Sequence, residues 1–382
     1  MNTIYHALSQ SLAKREANHL LRVLPQFSSP PKLNFASNDY LGLSTHPVLI
    51  KALSASQHQG MGQRGSRLLM PYQSNYLSLE KCMAKSTGFA HALLFASGFQ
   101  ANATLIRALI NPKLYGQSPL VFSDRRLHAS FHFGCDTVKQ YRYPHQDLNY
   151  LERLLIKHQS SLAPKMIITE SLFGMDGDKT DINTLIALKK KYNAFLIIDE
   201  SHALGVYGQS GYGLFEGRAN DIDIVTSSLS KGLGVWGGVV LCHSVVYEYL
   251  INTCFGIIYS NALPFPIVNA IQTAWDLLPS LKLKRQYLHQ LSQNLINQLK
   301  ALGLNTGHTE SHLIPIIIGN NEATLKLKQH CLDNQIWVGA IRPPSVPHQL
   351  ARIRICLNAT HSEAELSQLV KIIKKFKLNQ GV

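Results

Sequence analysis

The segment Thr226-Ser-Ser-Leu-Ser-Lys231-Gly-Leu-Gly-Val-Trp-Gly-Gly238 carries the sharpest chemical signal in the chain. A lysine held among small residues beside an apolar run loses its proton more readily than a surface lysine, because burial penalises the ammonium. Such an amine can form a Schiff base with an aldehyde. Two other readings compete. Gly232-x-Gly234-x-x-Gly237 has the dinucleotide-binding spacing, but that spacing should open a helix and precede an acid by about 20 residues. Here the glycines run into the apolar stretch Val239–Cys242. Ser228-x-x-Lys231 matches the serine acyl-enzyme tetrad, yet neither Ser-Asp-Asn nor Lys-Thr-Gly follows. The amine reading gains from Asp199, which ends the apolar run Phe195-Leu-Ile-Ile-Asp199 one strand–helix–strand unit upstream. A lysine that binds an aldehyde, with an aspartate that keeps a pyridinium nitrogen protonated, is the arrangement used with pyridoxal phosphate. Taken singly, a surface lysine and an exposed aspartate explain each residue as well; the pair, in this order, favours the cofactor.

Other residues fall where that cofactor needs them. Ser97-Gly98-Phe99 sits at a strand–helix junction, where backbone amides and the helix N-terminus can bind phosphate. Ser228 offers a hydroxyl to the same group. His128 can stack on a ring face and His202 can hydrogen-bond a ring oxygen, although a lone histidine is more often structural.

These residues need a scaffold, and the hydropathy pattern supplies one. Short apolar runs cover Ala92–Ser97, Leu120–Asp124, Thr137–Tyr141, Met166–Glu170, Phe195–Asp199, Ile222–Thr226 and Val239–Cys242. Several end in a polar residue, the pattern of strands buried on both faces of a parallel sheet. Helix-period segments separate them, among them Ala101–Ile110, Leu148–His158 and Ile182–Tyr192. The alternation predicts a doubly wound α/β sheet whose ligands gather at the carboxyl ends of the strands. An N-terminal helix is expected over Ile4–Val23. Pro264 and Pro266 can open a helical stretch reaching about Leu302, and strands over Ser311–Ile318, Ile336–Ala340 and Ala351–Leu357 complete a small α+β domain. Thr360-x-x-Glu363 reads as a capping box for the last helix. The expected division is an N-terminal segment 1–45, a large domain 46–263 and a C-terminal domain 264–382 with a linking helix.

Composition limits the remaining function classes. The 382 residues carry 37 basic and 23 acidic side chains, a formal net charge of +14, which invites an anionic partner. The basic residues lie scattered, as in Lys189-Lys-Lys191 and Lys371–Lys377, without a nucleic-acid reading motif, so no nucleic acid is expected. Part of the excess can steer an acidic carrier protein. The six cysteines include no Cys-x-x-Cys pair and no zinc spacing, so no metal is expected. No apolar run reaches 18 residues, and the first residues lack a signal-peptide layout, so a cytoplasmic setting away from the membrane is expected.

Together the motifs resemble the α-oxoamine synthases, a pyridoxal phosphate family of the aspartate aminotransferase-like fold, over nearly the whole chain. The carriers are Asn34–Leu43, Gly62-Gln-Arg-Gly-Ser-Arg67, Ser97-Gly-Phe-Gln-Ala-Asn102, His128-Ala-Ser130 and Thr169–Asp178. Asp199-Glu-Ser-His202, Ser230-Lys-Gly232, Ile258-Tyr-Ser260, Ile341-Arg-Pro-Pro-Ser-Val-Pro347 and Ala351-Arg-Ile-Arg354 follow in the family's order. The resemblance implies fold type I, a mostly parallel seven-stranded sheet with a small C-terminal α+β domain. It also implies a homodimer whose active site is completed by the second subunit. The Ile341–Pro347 segment looks most like the member that condenses L-alanine with a pimeloyl thioester, on acyl carrier protein or coenzyme A, in biotin biosynthesis. A sister synthase with another amino acid or acyl donor, and a catalytically silent binding paralogue, are the alternatives.

Carried onto this sequence, the resemblance makes Lys231 the residue that bonds pyridoxal 5'-phosphate and removes the alanine Cα proton. Asp199 holds the ring nitrogen, His128 stacks on the ring and His202 contacts its phenolic oxygen. Gly98, Phe99 and Ser228 hold the phosphate, Asn38 lies near the substrate, and Arg354 binds the substrate carboxylate. Several positions depart from the family pattern. Arg64 stands where a glycine is usual, near the acyl substrate, where it can meet a carboxylate-tipped chain or form a surface salt bridge. Leu127 replaces a small polar residue, Ser201 an alanine, Ala203 a glycine or serine, and Ser228 a threonine. Asn261 replaces a threonine that reaches the partner subunit's phosphate.

Overall fold

Lys231 and Asp199 hang from the carboxyl ends of one large sheet, and the sequence explains why that sheet forms. The computed structural model describes residues 3–60 and 62–380. Its strands are β1 (Leu33–Asn34), β2 (His91–Phe95), β3 (Leu120–Asp124), β4 (Gln140–Tyr143), β5 (Lys165–Glu170) and β6 (Ala194–Asp199). They continue with β7 (Ile224–Ser228), β8 (Gly238–Cys242), β9 (Leu313–Gly319), β10 (Ile336–Trp337), β11 (Gly339–Ile341) and β12 (Ala351–Cys356).

By contact density the chain divides into two compact units. The larger takes Asn38–Phe173 and Lys179–Gln286; the smaller takes the chain up to Ser37, Gly174–Asp178 and the chain from Tyr287. The expected division fell at 263/264. Helix Phe265–Leu277 instead stays with the larger unit, where it packs on helices Pro47–Ala55 and Ser74–Thr87.

In the larger unit seven strands form a sheet in the order β2-β8-β7-β6-β5-β3-β4. The β4–β3, β3–β5, β5–β6 and β6–β7 pairs are parallel, whereas β8 runs antiparallel to both of its neighbours. Parallel neighbours need crossover connections, supplied here by helices such as Leu148–Lys157 and Ile182–Tyr192, which start on the side chains of Asp147 and Asp181. Helices cover the strands on both faces, so the strands are apolar throughout rather than alternating. All five residues of β8 are buried. Leu93, Leu105, Met166, Ile197, Ile224 and Val240 belong to one core, each burying apolar surface at about 25 cal/mol per Å². The glycines after Lys231 turn the chain from β7 into antiparallel β8. Gly234 has φ +66°, and a Cβ there would meet Ser44 N at 2.5 Å. That is why the dinucleotide-like spacing has no nucleotide meaning here.

In the smaller unit β9, β12 and β11 form an antiparallel sheet with β12 in the centre, and helix Asn321–Asp333 packs on β12.

Four boundaries differ from the sequence expectation. The N-terminal helix covers Thr3–Ala17, and His19 leaves it in a left-handed conformation. The expected strand 137–141 becomes β4, because Val138 N donates to Cys135 O and closes a turn first. The run Ile336–Ala340 splits into β10, paired in parallel with β1, and β11, paired with β12. The capping box lies at Ser362 and Glu365 rather than Thr360 and Glu363: Glu365 N donates to Ser362 Oγ, and Ser362 N donates to Glu365 Oε2.

Among the described residues no helix is long and apolar enough to cross a membrane. Among the described residues no cysteine forms a disulfide.

Candidate active site

The end of β6 and the turn after β7 bring the predicted residues of the larger unit together. Lys231 is half-buried, and its Nζ lies 2.9 Å from His202 Nε2. His202 is itself buried, with Nδ1 2.6 Å from the hydroxyl of Tyr40, a residue with no exposed surface. The Tyr40 hydroxyl also lies 3.3 Å from Asn38 Oδ1, so Asn38 reaches this group through its neighbour. An amine within hydrogen-bond distance of a buried imidazole is arranged for a proton to pass between the two nitrogens.

Asp199 closes β6 with 4% of its surface exposed. Its carboxylate is met by neutral donors: Ser201 N–H at 2.7 Å and the Asn102 amide at 2.8 Å. A carboxylate has about four acceptor sites, so two donors leave capacity for a further cationic N–H. Ser201 also ties this strand end to the next, because its hydroxyl accepts Ser228 N–H at 2.8 Å.

Beside Ser228 lies the first turn of helix Gly98–Leu109, whose N-cap Ser97 accepts Gln100 N–H. A Cβ on Gly98 would come within 2.8 Å of Ser228 Cβ, so only glycine brings this backbone so close. A bare helix N-terminus next to a hydroxyl suits an anion. Phe99, half-exposed, packs edge-on to His128 with ring centroids 6.5 Å apart.

His128 caps the short helix Ala129–Gly134, and its backbone N–H donates to Glu170 Oε1 at 2.8 Å. Its Nδ1 lies 2.7 Å from the Ser130 hydroxyl. His128 is exposed at its surface, but loss of water around the imidazole holds it below the ordinary histidine range; Lys231 and His132 push the same way, and Asp199 opposes. The neighbouring Glu200 is fully buried and accepts Leu214 N–H and Phe215 N–H. Burial pushes its carboxyl up to about 8, and the Asp199 charge adds to the rise.

Lys231, His202, Asp199, His128, Ser228, Gly98, Phe99 and Asn38 thus share the larger unit. Arg64 lies exposed in the same unit, while Arg67 beside it is buried in an ion pair with Glu80. Arg354 belongs to the smaller unit, buried on β12 opposite Pro315 and Gly339. Leu127 is buried and Asn261 exposed.

Sequence reasoning did not assign roles to Asn102, Ser130, Tyr40 or Ser201. Spacing carried a signal for all four. Asn102 follows Gly98 by four residues and so shares its helix face. Ser130, Tyr40 and Ser201 each stand two residues beyond a selected position. None of this spacing reveals which partner each residue meets across the sheet.

The aminotransferase class I and II family profile matches residues 30–373. A putative 8-amino-7-oxononanoate synthase of Paramagnetospirillum magneticum is 41% identical over 344 residues, covering 89% of this chain and 87% of the relative. The 8-amino-7-oxononanoate synthase of Gluconacetobacter diazotrophicus is 39% identical over 355 residues, covering 92% and 89%. Among solved structures, a Sphingomonas wittichii serine palmitoyltransferase superposes with a TM-score of 0.89 at 25% identity, covering 100% of this chain and 98% of that one. The 8-amino-7-oxononanoate synthase of Francisella tularensis superposes with a TM-score of 0.78 at 26% identity, covering 92% and 99%.

Proposed function

Since the chain belongs to the aminotransferase class I and II family, a family of pyridoxal phosphate enzymes, we propose that it condenses L-alanine with a pimeloyl thioester, on carrier protein or coenzyme A. The products are 8-amino-7-oxononanoate, carbon dioxide and the free thiol. Pyridoxal phosphate, when bound, supplies an aldehyde that captures the amino group and a ring that draws electrons from Cα. The residues fit that group: glycine at 98 lets the first turn of its helix lie close beside Ser228, a helix N-terminus and a hydroxyl suited to phosphate, and Asp199 is a buried carboxylate with acceptor capacity left.

Lys231 Nζ is the atom we assign to the aldehyde carbon and to the transfer of the Cα proton. Its contact with His202 is the observation that carries the reading, since it sets the amine against a buried imidazole. Asp199 holds the proton on the ring nitrogen. His202 orients the phenolic oxygen, and His128, with Phe99 against its edge, covers the ring face and excludes water. Gly98, Phe99 and Ser228 bind phosphate. Arg354 takes the substrate carboxylate, for which a planar fork of donors suits. Asn38 lies near the substrate, and Arg64 meets the far end of the acyl chain or its carrier. The working form we propose is a homodimer. Exposed Leu69, Tyr72, Phe255 and Tyr259 of the larger unit are apolar surface suited to a second copy.

The 41% and 39% identities to 8-amino-7-oxononanoate synthases support alanine as the amino acid. The TM-score of 0.89 to a serine palmitoyltransferase keeps a sister reading, with serine or another acyl donor, as the alternative. Purified protein should be yellow, and Lys231→Ala should abolish the covalently bound chromophore. Product analysis with alanine, glycine and serine against pimeloyl and longer thioesters then decides the substrate. A preference for serine with a long-chain thioester would overturn the alanine assignment; a colourless protein that takes up no pyridoxal phosphate would overturn the enzyme.

A further inference from the structure

We propose that Asn102 and Ser130 are positioning residues on either side of the cofactor ring, Asn102 orienting the Asp199 carboxylate and Ser130 keeping His128 neutral with its proton on Nε2. The inference rests on the roles assigned above to Asp199 and His128 and extends them to residues that touch neither cofactor nor substrate.

The argument follows hydrogens through three bonds. Asn102, with 3% of its surface exposed, lies with Nδ2 2.8 Å from Asp199 Oδ2 and 3.1 Å from Ser130 Oγ. The amide must present nitrogen here, because an amide oxygen facing a carboxylate would be repelled. Each of its two hydrogens therefore has a partner. Ser130 Oγ accepts one of them, which leaves its own hydrogen for His128 Nδ1 at 2.7 Å. The Ser130 backbone N–H points at the same nitrogen from 3.3 Å. With two donors aimed at it, Nδ1 is an acceptor, and the proton of the neutral ring must sit on Nε2. A proton on Nδ1 would have to displace both donors.

The charged groups around the ring act with this network. Loss of water, Lys231 and His132 disfavour the imidazolium, while Asp199 alone among the named charges favours it. Asn102 spends a hydrogen on that same carboxylate and so orients it. Glu170 receives the His128 backbone N–H and fixes the position of the ring rather than its proton. The result is a neutral imidazole for a ring whose nitrogen carries positive charge. A second cation stacked there would repel it.

The test begins with the cofactor-free protein, so it does not depend on which substrates are used. Proton–nitrogen NMR of labelled histidine, with the His128 signal assigned by its loss in His128→Gln, should show the Nε2–H form and titration below the ordinary histidine range. Ser130→Ala should mix the two tautomers and raise the His128 pKa by roughly one unit, a tenfold change in proton affinity. Asn102→Leu should speed release of pyridoxal phosphate about tenfold or more, since a hydrogen bond to a charged group is lost. A wild-type His128 protonated on Nδ1 overturns the proposal. So does an unchanged His128 titration in folded Ser130→Ala, or unchanged cofactor release in folded Asn102→Leu. Failure of the functional reading itself would appear separately, as a chromophore that survives Lys231→Ala.

Discussion

Two buried ions of this chain, Arg352 and Asp199, are held in opposite ways. In the smaller unit Arg352 has no exposed surface on β12, and its guanidinium meets Asp176 Oδ1 at 2.6 Å and the Met175 and Leu350 carbonyls. In the larger unit Asp199, at the end of β6, meets only dipoles: one backbone N–H and one amide. An opposite charge neutralises a buried ion and uses up its field, whereas dipoles stabilise the ion and leave its field available. The first arrangement builds structure and the second can do chemistry.

The largest effect should come from breaking the first arrangement. Arg352→Leu would leave Asp176 buried without its cation, at a cost of about 3–5 kcal/mol. The midpoint of urea unfolding measures this, and Arg352→Leu with Asp176→Leu should recover most of the loss. A single-variant cost below about 1 kcal/mol would show that the pair is not the neutralised core ion described here.

Asp199→Asn tests the other side. Its shape is kept and its donors can re-pair, so the urea midpoint should move little. Removing the charge should lower kcat by roughly 10²–10³-fold, as with other electrostatic groups aimed at a reacting centre. If stability fell as far as in Arg352→Leu while turnover survived, the two ions would not differ in the way argued.

The contrast also marks what the sequence could reveal. Lys231, Asp199 and the polar strand ends were legible because buried parallel strands have a distinct apolar texture, and ligands collect at their carboxyl edges. The resemblance of short motifs then joined residues as distant as Ser97 and Ser228. The Asp199–Asn102–Ser130–His128 chain was not legible. It depends on which side chains meet across the sheet, and Asn102 at helix spacing from Gly98 reads equally well as a packing residue. Nor does sequence reveal that Arg67, and not Arg64, is the buried arginine of the Gly62–Arg67 loop, since both are arginines among small residues.

Glu200, one residue beyond Asp199, sharpens the comparison within a single strand end. Its carboxyl is pushed up to about 8 from its ordinary value near 4.5. The folded protein therefore keeps a proton that the unfolded chain has lost between those values. Its contribution to stability is fully present below about 4.5 and is lost as pH rises toward 8. Glu200→Gln should flatten the decline of stability across this window by up to about 1.4 kcal/mol per pH unit. Unfolding midpoints at pH 5, 6, 7 and 8 would measure it. An unchanged slope would mean that the dipoles of Leu214 and Phe215 hold Glu200 ionised.

The smallest effect belongs to the smaller unit, at the start of helix Glu363–Gln380. Ser362 and Glu365 each satisfy a backbone N–H of the other there, while the Thr360 hydroxyl donates to Asn358 Oδ1. Ser362→Ala should cost about 1 kcal/mol, the usual loss for an N-cap hydroxyl. Thr360→Ala removes a surface side-chain bond and should cost only a few tenths. Both should leave the absorption of bound pyridoxal phosphate unchanged, because a cap satisfies backbone groups of its own helix and places no charge at the ring. A spectral shift in Ser362→Ala at constant cofactor content would show that the cap acts beyond its own helix.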